Sequence, residues 1–588
     1  MPNTSLQASA TPMTHPSSAV DTEAFESVAE AYLAHLKRHG VDYLYMGAGT
    51  DTAPLVEAYA RQSQSNLAFP RPVMSGHENI AVGMAHGHYM VSGRPQAVML
   101  HVSVGAANAV CGIMNAARAQ VPMFFTAGRT PLFEHGRLGS RDNTIHWGQE
   151  MFDQAGMMRE LVKWDYELRD GMNVADIVDR GLGIAMAHPR GPVYLTLPRE
   201  TLAQPMPATA ERPLPAQPLA PHPDPLGVSH LAEALARARL PVIVCSASGS
   251  APATVGMLED LSNRFGIAVG ESKPKFVNFP SSHPLHAGYD PAAILQQADA
   301  MLFLESDVPW LPGQASPRPG AFIAHAASDP LFTRYPLRSF PSDLMLTTTA
   351  EALLPSLTEA LTRAGAERDR DQRAERAATF AQERRAVVEA RAREDEVRGG
   401  PISKLYLSRC LSEVRPHDSI LINEYSAMRE QMRFDQPGTF FLHPNAGGLG
   451  WGMPAALGAC QAAPGRPVIA VVGDGAYLFG NPAAYHQAAA MHDLPILTVV
   501  FDNGGWGAVQ AAALMMYPDS HAARHAREHA MAPLSSLQPV PDFVKYVEAS
   551  GGYGERVASR ADLMPALRRA LAVVQEERRQ ALLHVTGA

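Results

Sequence analysis

Asp474 lies in GDG (473–475) and Asn503 in DNGG (502–505), and each motif directly follows a short apolar, β-branched run, at 468–472 and 495–501. Runs of that length read as buried strands and the glycine-rich ends as tight breaks. The alanine-rich stretch 481–492 between them reads as a helix, so the whole is a βαβ unit with a loop expected directly after its first strand. Parallel strands end at one edge of their sheet, so the Asp474 carboxylate and the Asn503 amide oxygen converge where open α/β sheets bind ligands. One carboxylate, one amide oxygen and a nearby glycine carbonyl suit Mg²⁺, which takes few protein ligands and completes its octahedron with water and phosphate oxygens. A phosphate ester is the ligand such a site calls for. GDG alone is equally well explained as an ordinary turn, and only the pairing with DNGG points to chemistry.

The elements that position these groups belong to a chain of 588 residues, enough for three or four domains. With 46% hydrophobic and 18% charged residues, it can bury several cores. A net charge of -9 and the lack of a basic stripe argue against nucleic acid as a partner. Cys111, Cys245, Cys410 and Cys460 are scattered without a C-x-x-C pair, which suggests neither a disulfide framework nor a zinc site and fits a reducing cytoplasm. Residues 1–20, rich in Ser, Thr, Pro and Ala, lack the apolar core of a signal peptide or membrane span and read as a disordered arm. Proline-rich sequence at 203–225 and a charged Ala/Glu/Arg run at 368–398 divide the remainder. The expected fold class is α/β, with three doubly wound parallel-sheet domains over 21–202, 226–365 and 401–588, and a solvated linker helix within 366–400.

In the first domain, strands expected at 43–46, 71–74, 96–101 and 123–127 alternate with helices. Thr50 follows the first of these strands, Glu78 opens a helix rich in small residues, and His101 ends the third strand. A glutamate in a first helical turn is favourable on dipole grounds alone, and a strand-end histidine is often only hydrogen-bonded structure. In the second domain, SASGS (246–250) lacks the spaced glycines of a dinucleotide fingerprint, so a structural domain without nucleotide or FAD is expected. The segments 272–291 and 298–313 reach presumed strand ends, where they can help enclose a substrate. Trp310 is the aromatic candidate there, although large apolar residues are more often core. The third domain opens with a strand at 419–423 that ends at Glu424, followed by HPNAGGLGWGMPAALGA (443–459) leading into a helix.

Four stretches in this order carry a family resemblance: HENIAVGMAHGHYMVSGRPQAVMLHVSVGAANAVCGIMNAARAQVPMFFTAGRTP (77–131), HPNAGGLGWGMPAALGA, GDG and DNGG. Together they resemble the thiamine-diphosphate-dependent enzymes, and within them the acetohydroxyacid synthase and benzoylformate decarboxylase group. The resemblance implies thiamine diphosphate and Mg²⁺ as cofactors, the metal being held by Asp474, Asn503 and the main-chain carbonyl of Gly505. It places Gly475, Glu424 and Gly448 around the cofactor and Leu449 beneath it, holding it bent. It gives Glu78 the task of hydrogen-bonding the aminopyrimidine so that its imino tautomer deprotonates C2. Because the relatives draw these two halves from different subunits, it also implies a homodimer or homotetramer.

His101 falls where benzoylformate decarboxylase has an active-site histidine, and Thr50 where it binds substrate through a serine. Three departures stand out: Asp502-Asn503 replaces the usual Asn-Asn, the interval between the anchors is slightly longer around 479–482, and Val308-Pro309-Trp310 occupies the region of a second histidine. The implied activity is decarboxylation of a small-molecule 2-oxo acid, with or without carboligation to a carbonyl acceptor. A carbon-carbon lyase acting on a 2-hydroxyacyl-CoA or an acyloin is the alternative, and no basic nucleotide pocket is identifiable for it. A non-catalytic binding or regulatory subunit is a third reading, against which Glu78 beside a complete metal pair speaks.

Overall fold

The computed structural model describes residues 22–207, 209–210 and 213–588, so the arm expected at 1–20 lies outside the described residues. Three parallel sheets organise the chain. The first contains β1 (Tyr43–Gly47), β2 (Arg71–Ser75), β3 (Gln96–Leu100), β4 (Met123–Arg129), β5 (Asp165–Glu167) and β6 (Val193–Pro198), in the order β2-β1-β3-β4-β6-β5. The second contains β7 (Pro241–Cys245), β8 (Ala268–Glu271), β9 (Ala300–Leu304), β10 (Phe322–Ala327) and β11 (Leu344–Thr347), in the order β8-β7-β9-β10-β11. The third contains β12 (Ile420–Glu424), β13 (Phe440–Leu442), β14 (Val468–Gly473), β15 (Ile496–Asp502), β16 (Tyr553–Val557) and β17 (Ala581–Thr586). Its order, β13-β12-β14-β15-β17-β16, repeats that of the first sheet. Every pairing within the three sheets is parallel, and an antiparallel ribbon of Thr22–Glu23 with Thr209–Ala210 stands apart from them.

Alternation along the strands explains why both faces of each sheet are covered. In β1, Leu44 and Met46 enter one core and Tyr45 another; in β15, Leu497, Val499 and Phe501 enter one core, and Ile496 and Val500 another. A strand buried on both faces needs apolar residues at every position, which is why these runs lack the polar alternation of half-exposed strands. The core holding Tyr45 is also the one holding Ile496. The first and third sheets therefore share an interior, filled by α1 (Glu78–Ser92) and α2 (Val102–Arg118) from one side and α4 (Gly452–Ala462) from the other. A side chain on Gly87 would overlap the Ala455 carbonyl, and one on Gly458 the Met84 carbonyl, so α1 and α4 meet backbone to backbone.

Three expectations change on contact with the structure. The loop expected after GDG is instead a short helix, α5 (Asp474–Phe479), followed by α6 (Pro482–Met491) after a break at Asn481, which adopts a left-handed conformation (φ 52°). The charged run forms α3 (Arg370–Arg398), but it is not solvated throughout. Ala377, Phe380 and Ala381 are buried, and the buried Arg373 guanidinium donates to the carbonyls of Phe265, Ala366 and Ala236. Trp310 does not line a site: it is 3% exposed and packs in the middle core, 5.1 Å from Phe303 and 4.8 Å from Phe340 between ring centroids. The apolar surface of an indole outweighs its single N–H, and this ring is core.

The α1–α4 contact yields a stability test. Gly458→Val puts a branched side chain into the Met84 carbonyl, and overpacking of this kind costs about 1–3 kcal/mol or more. Urea unfolding should show the loss, whereas an unchanged midpoint would mean that the two helices are not in backbone contact.

Candidate active site

The carboxyl ends of the first sheet bring together Thr50, Glu78 and His101. Glu78 is the first residue of α1, behind His77, whose ring nitrogen accepts the Asn79 N–H. Its side chain is 21% exposed and accepts a hydrogen bond from Asn108 Nδ2 on α2 at 3.2 Å, so the carboxylate is oriented yet open. Thr50 is exposed just past β1. His101 caps α2, and its Nδ1 lies 2.6 Å from the buried Asp51 carboxylate. That hydrogen bond holds the His101 pKa above its ordinary value against the effect of partial burial, with Glu78 adding to the rise. Its Nε2 faces the Gln149 amide at 3.2 Å. Neither Asp51 nor Gln149 stood out in the sequence, because one adjoins a more obvious hydroxyl and the other lies in an irregular loop.

At the ends of β14 and β15 the GDG and DNGG segments meet. Asp474 is 3% exposed, and its two oxygens accept the N–H groups of Gly475 (2.8 Å) and Gly505 (3.0 Å). The Trp506 ring packs across Gly475, edge-on to Phe479 at 5.3 Å, and ties the two loops together. Burial and the neighbouring Asp502 push Asp474 up to about 6. Burial also raises Asp502, but His584 Nε2 at 2.6 Å, the Gly504 N–H and Asp474 outweigh it, leaving Asp502 below its usual range. Two adjoining carboxylates with a half-buried Asn503 beside them make an oxygen-rich, electronegative edge. Among the described residues, no three His, Cys, Asp or Glu side chains group to hold a metal. A cation here would rely on mixed carboxylate, amide and carbonyl oxygens, the donor set that fits Mg²⁺.

The loop carrying Gly448 and Leu449 leads into α4 and is fastened from three directions. Asn115 on α2 makes a reciprocal pair with Gly448, donating to its carbonyl at 2.9 Å and accepting its N–H at 3.2 Å, and His443 Nε2 faces the same carbonyl at 2.9 Å. Asn445 donates to Asp307 of the middle domain, which also takes Lys275 Nζ (2.7 Å) and the Tyr335 hydroxyl (2.9 Å). Burial raises Asp307, yet Lys275 and these donors bring it down to about 2. The segment expected to enclose substrate through Trp310 thus contributes Asp307 as a clamp on the loop.

Glu424 is turned inward: fully buried, it accepts the N–H groups of Gly450 (2.7 Å) and Gly452 (2.6 Å) at the start of α4, and burial lifts it to about 7. Its reach toward a ligand passes through this loop. Leu449 remains half-buried at the tip.

Two family models match this architecture: the N-terminal thiamine pyrophosphate binding domain over 26–157 and the C-terminal thiamine pyrophosphate binding domain over 424–585. The chain belongs to the thiamine-pyrophosphate-dependent enzymes. The matched segments hold the two carboxyl edges just described. Benzoylformate decarboxylase of Pseudomonas aeruginosa is 29% identical over 573 residues, covering 93% of this chain and 97% of that protein. Sulfoacetaldehyde acetyltransferase of Rhodobacter capsulatus is 26% identical, with 92% and 91% covered, and the large subunit of acetolactate synthase isozyme 3 of Escherichia coli is 22% identical, with 86% of each covered. Among solved structures, the thiamine diphosphate-dependent 4-hydroxybenzoylformate decarboxylase of Rhodococcus jostii superposes with a TM-score of 0.75 at 22% identity, over 95% of this chain and 99% of that one. In this thiamine-diphosphate enzyme, no helix among the described residues is long and apolar enough to cross a membrane.

The loop clamp is testable without substrate. Asn115→Ala removes both bonds to Gly448, and a buried polar group left unpaired costs about 1–3 kcal/mol. Hydrogen exchange at 446–451 should accelerate markedly while exchange in β14 stays unchanged; equal protection in the variant would locate the clamp elsewhere.

Proposed function

We propose that this chain is a Mg²⁺-dependent thiamine-diphosphate enzyme that decarboxylates a 2-oxo acid to an aldehyde, with carboligation to a carbonyl acceptor as a second outcome. The observation that carries the reading is His101, oriented by Asp51 at a strand end beside Glu78. The similarity to benzoylformate decarboxylase over nearly the full length of both chains supports it, and the similarity to acetolactate synthase supports the carboligation.

Asp474, Asn503 and the Gly505 carbonyl would hold the metal and, through it, the diphosphate. Gly475 donates its N–H to Asp474 and makes room for the Trp506 ring, Gly448 and Leu449 would support the cofactor from below, and Glu424 fixes their loop from behind. When bound, the cofactor would supply a nucleophilic carbon for the substrate carbonyl and an electron-poor ring to take up the electron pair left by departing CO₂. Glu78 holds or releases a proton at the pyrimidine, Thr50 gives the substrate carboxylate a hydroxyl, and His101 supplies the proton that takes the place of CO₂ in the product. The first domain would be the pyrimidine side, the third the diphosphate side, and the second a structural domain that steadies the loop.

The Glu78 side chain is only partly buried, and α2 and the loop after β4 expose apolar residues, including Val104, Met114, Phe133, Leu138, Trp147 and Phe152. A second copy of the chain would cover that surface, giving a homodimer or a homotetramer with the cofactor between subunits.

Incubation with aliphatic and aromatic 2-oxo acids should release CO₂ with matching aldehyde or ligated product, and only when thiamine diphosphate and Mg²⁺ are both present. Lack of CO₂ release from every acid would set decarboxylation aside in favour of carbon-carbon lyase or acetyl-transfer chemistry. Asp474→Ala should abolish the Mg²⁺-dependent part of cofactor binding in calorimetry, because it removes the charged oxygen of the donor set. Wild-type affinity in that variant would move the anchor.

A further inference from the structure

Conversion of a 2-oxo acid into an aldehyde and CO₂ replaces a carboxylate with one proton, so each turnover draws one proton from the site. This inference rests on the decarboxylase reading. Three features around His101 go beyond what that reading requires. The first is room made for a buried carboxylate: a side chain on Gly128 would overlap Asp51 Oδ2, and one on Gly49 would crowd both Asp51 Oδ1 and His101 Nδ1. The second is strained backbone. Val102, a β-branched residue, has φ 31°, in the region that side chains of this kind avoid, and its N–H points at Asp51 Oδ2 at 3.2 Å. The third is an unmet acceptor: Gln149 turns its nitrogen toward His101 Nε2, while its Oε1 is buried with no hydrogen-bond partner among the described residues.

We propose that Asp51 and Gln149 are positioning residues that hold the His101 ring in one place through both of its protonation states. Asp51 keeps a proton on Nδ1 at all times, so only Nε2 gains and loses one. When Nε2 is bare, it accepts from the Gln149 NH₂; when it is protonated, the amide turns over and its oxygen accepts, ending its isolation. Nitrogen and oxygen of an amide differ little in shape, so the exchange needs no other movement. The proton that leaves Nε2 goes to the former carbonyl carbon of the substrate, and water returns one to Nε2.

The titratable groups facing His101 from neighbouring elements are Asp51, Glu78 and His146. The two carboxylates favour the charged ring, while His146 opposes it when itself charged. Partial burial also opposes it, and the hydrogen bond to Asp51 is the largest influence. His101 should therefore stay charged to a higher pH than an ordinary histidine and lose its proton as pH rises through that raised value.

NMR of the full chain with ¹³C,¹⁵N-labelled histidine, in the presence of thiamine diphosphate and Mg²⁺, tests this without turnover. The His101 signal is the one missing from His101→Gln. In the wild type, neutral His101 should carry its proton on Nδ1, and an Nε2–H tautomer would overturn the proposal even if no Asp51 variant folds. Asp51→Asn should lower the His101 pKa by about 1–3 units, the size expected for loss of an adjacent opposite charge, and Gln149→Glu should raise it. An unmoved pKa in Asp51→Asn defeats the role of Asp51, and an unmoved pKa in Gln149→Glu defeats that of Gln149. The pH profile of kcat/KM for CO₂ release should shift with the NMR value. Should the NMR results appear as expected while no 2-oxo acid reacts, the proton device stands and the decarboxylase reading falls; turnover with an unmoved His101 pKa gives the reverse.

Discussion

Helices α1 and α4 come together at Gly87 and Gly458 with no side chain between their backbones. The first and third sheets thus share one interior, and within each chain their relative placement is fixed by peptide planes instead of adaptable side chains. Glu78 is the first residue of α1, and the loop of Gly448 and Leu449 runs directly into α4. Both candidate groups are therefore attached to the ends of the two elements with the least freedom to separate. Asn115 on α2 adds a lateral tie to the same loop, and Asp307 brings the middle domain to bear on it.

A second theme is how the protein keeps carboxylates buried at strand ends. Asp474, Glu424 and Asp51 are each nearly inaccessible, and each accepts main-chain N–H groups at or beside the start of a helix: Gly475 and Gly505, Gly450 and Gly452, and Val102. Desolvation raises the cost of the charged form, and the amide donors return part of it. The outcomes differ with the remaining neighbours. Glu424, 3.7 Å from the His443 ring, whose protonation burial disfavours, is lifted to about 7, whereas Asp307, burdened by a similar burial, is drawn down to about 2 by Lys275. Asp474 next to Asp502 is the arrangement a divalent cation would relieve.

Period and punctuation made much of this fold legible. The strand expected at 43–46 lies within one residue of Tyr43–Gly47, because a short apolar run that breaks at a glycine has few other solutions. The βαβ unit around GDG was equally plain, although α5 was not, since six residues carry no periodicity to recognise. What could not be read depended on tertiary contact. The face of α3 that buries Phe380 looks no different in sequence from its exposed face, and Trp310 was open to either reading until its neighbours were known. Among site residues, Asp474, Asn503, Glu78 and His101 sat at strand or helix ends where chemistry is expected. Asp51, Gln149, Asn115 and Asp307 act through partners 50, 48, 333 and 138 positions away, and no local pattern announces pairs of that kind.

We propose that one cofactor is gripped by Asp474 of one subunit and Glu78 of another. Mixing Glu78→Gln chains with Asp474→Ala chains, after dissociation and reassembly, tests it most directly. A shared site gives each mixed pair one centre with both wild-type residues and one with neither, so CO₂ release from a 2-oxo acid substrate should reappear from two inactive parents, at about half the wild-type rate per mixed dimer. If mixed dimers form and stay inactive, Glu78 and Asp474 of the same chain serve the same cofactor, and the account of a site between subunits is wrong.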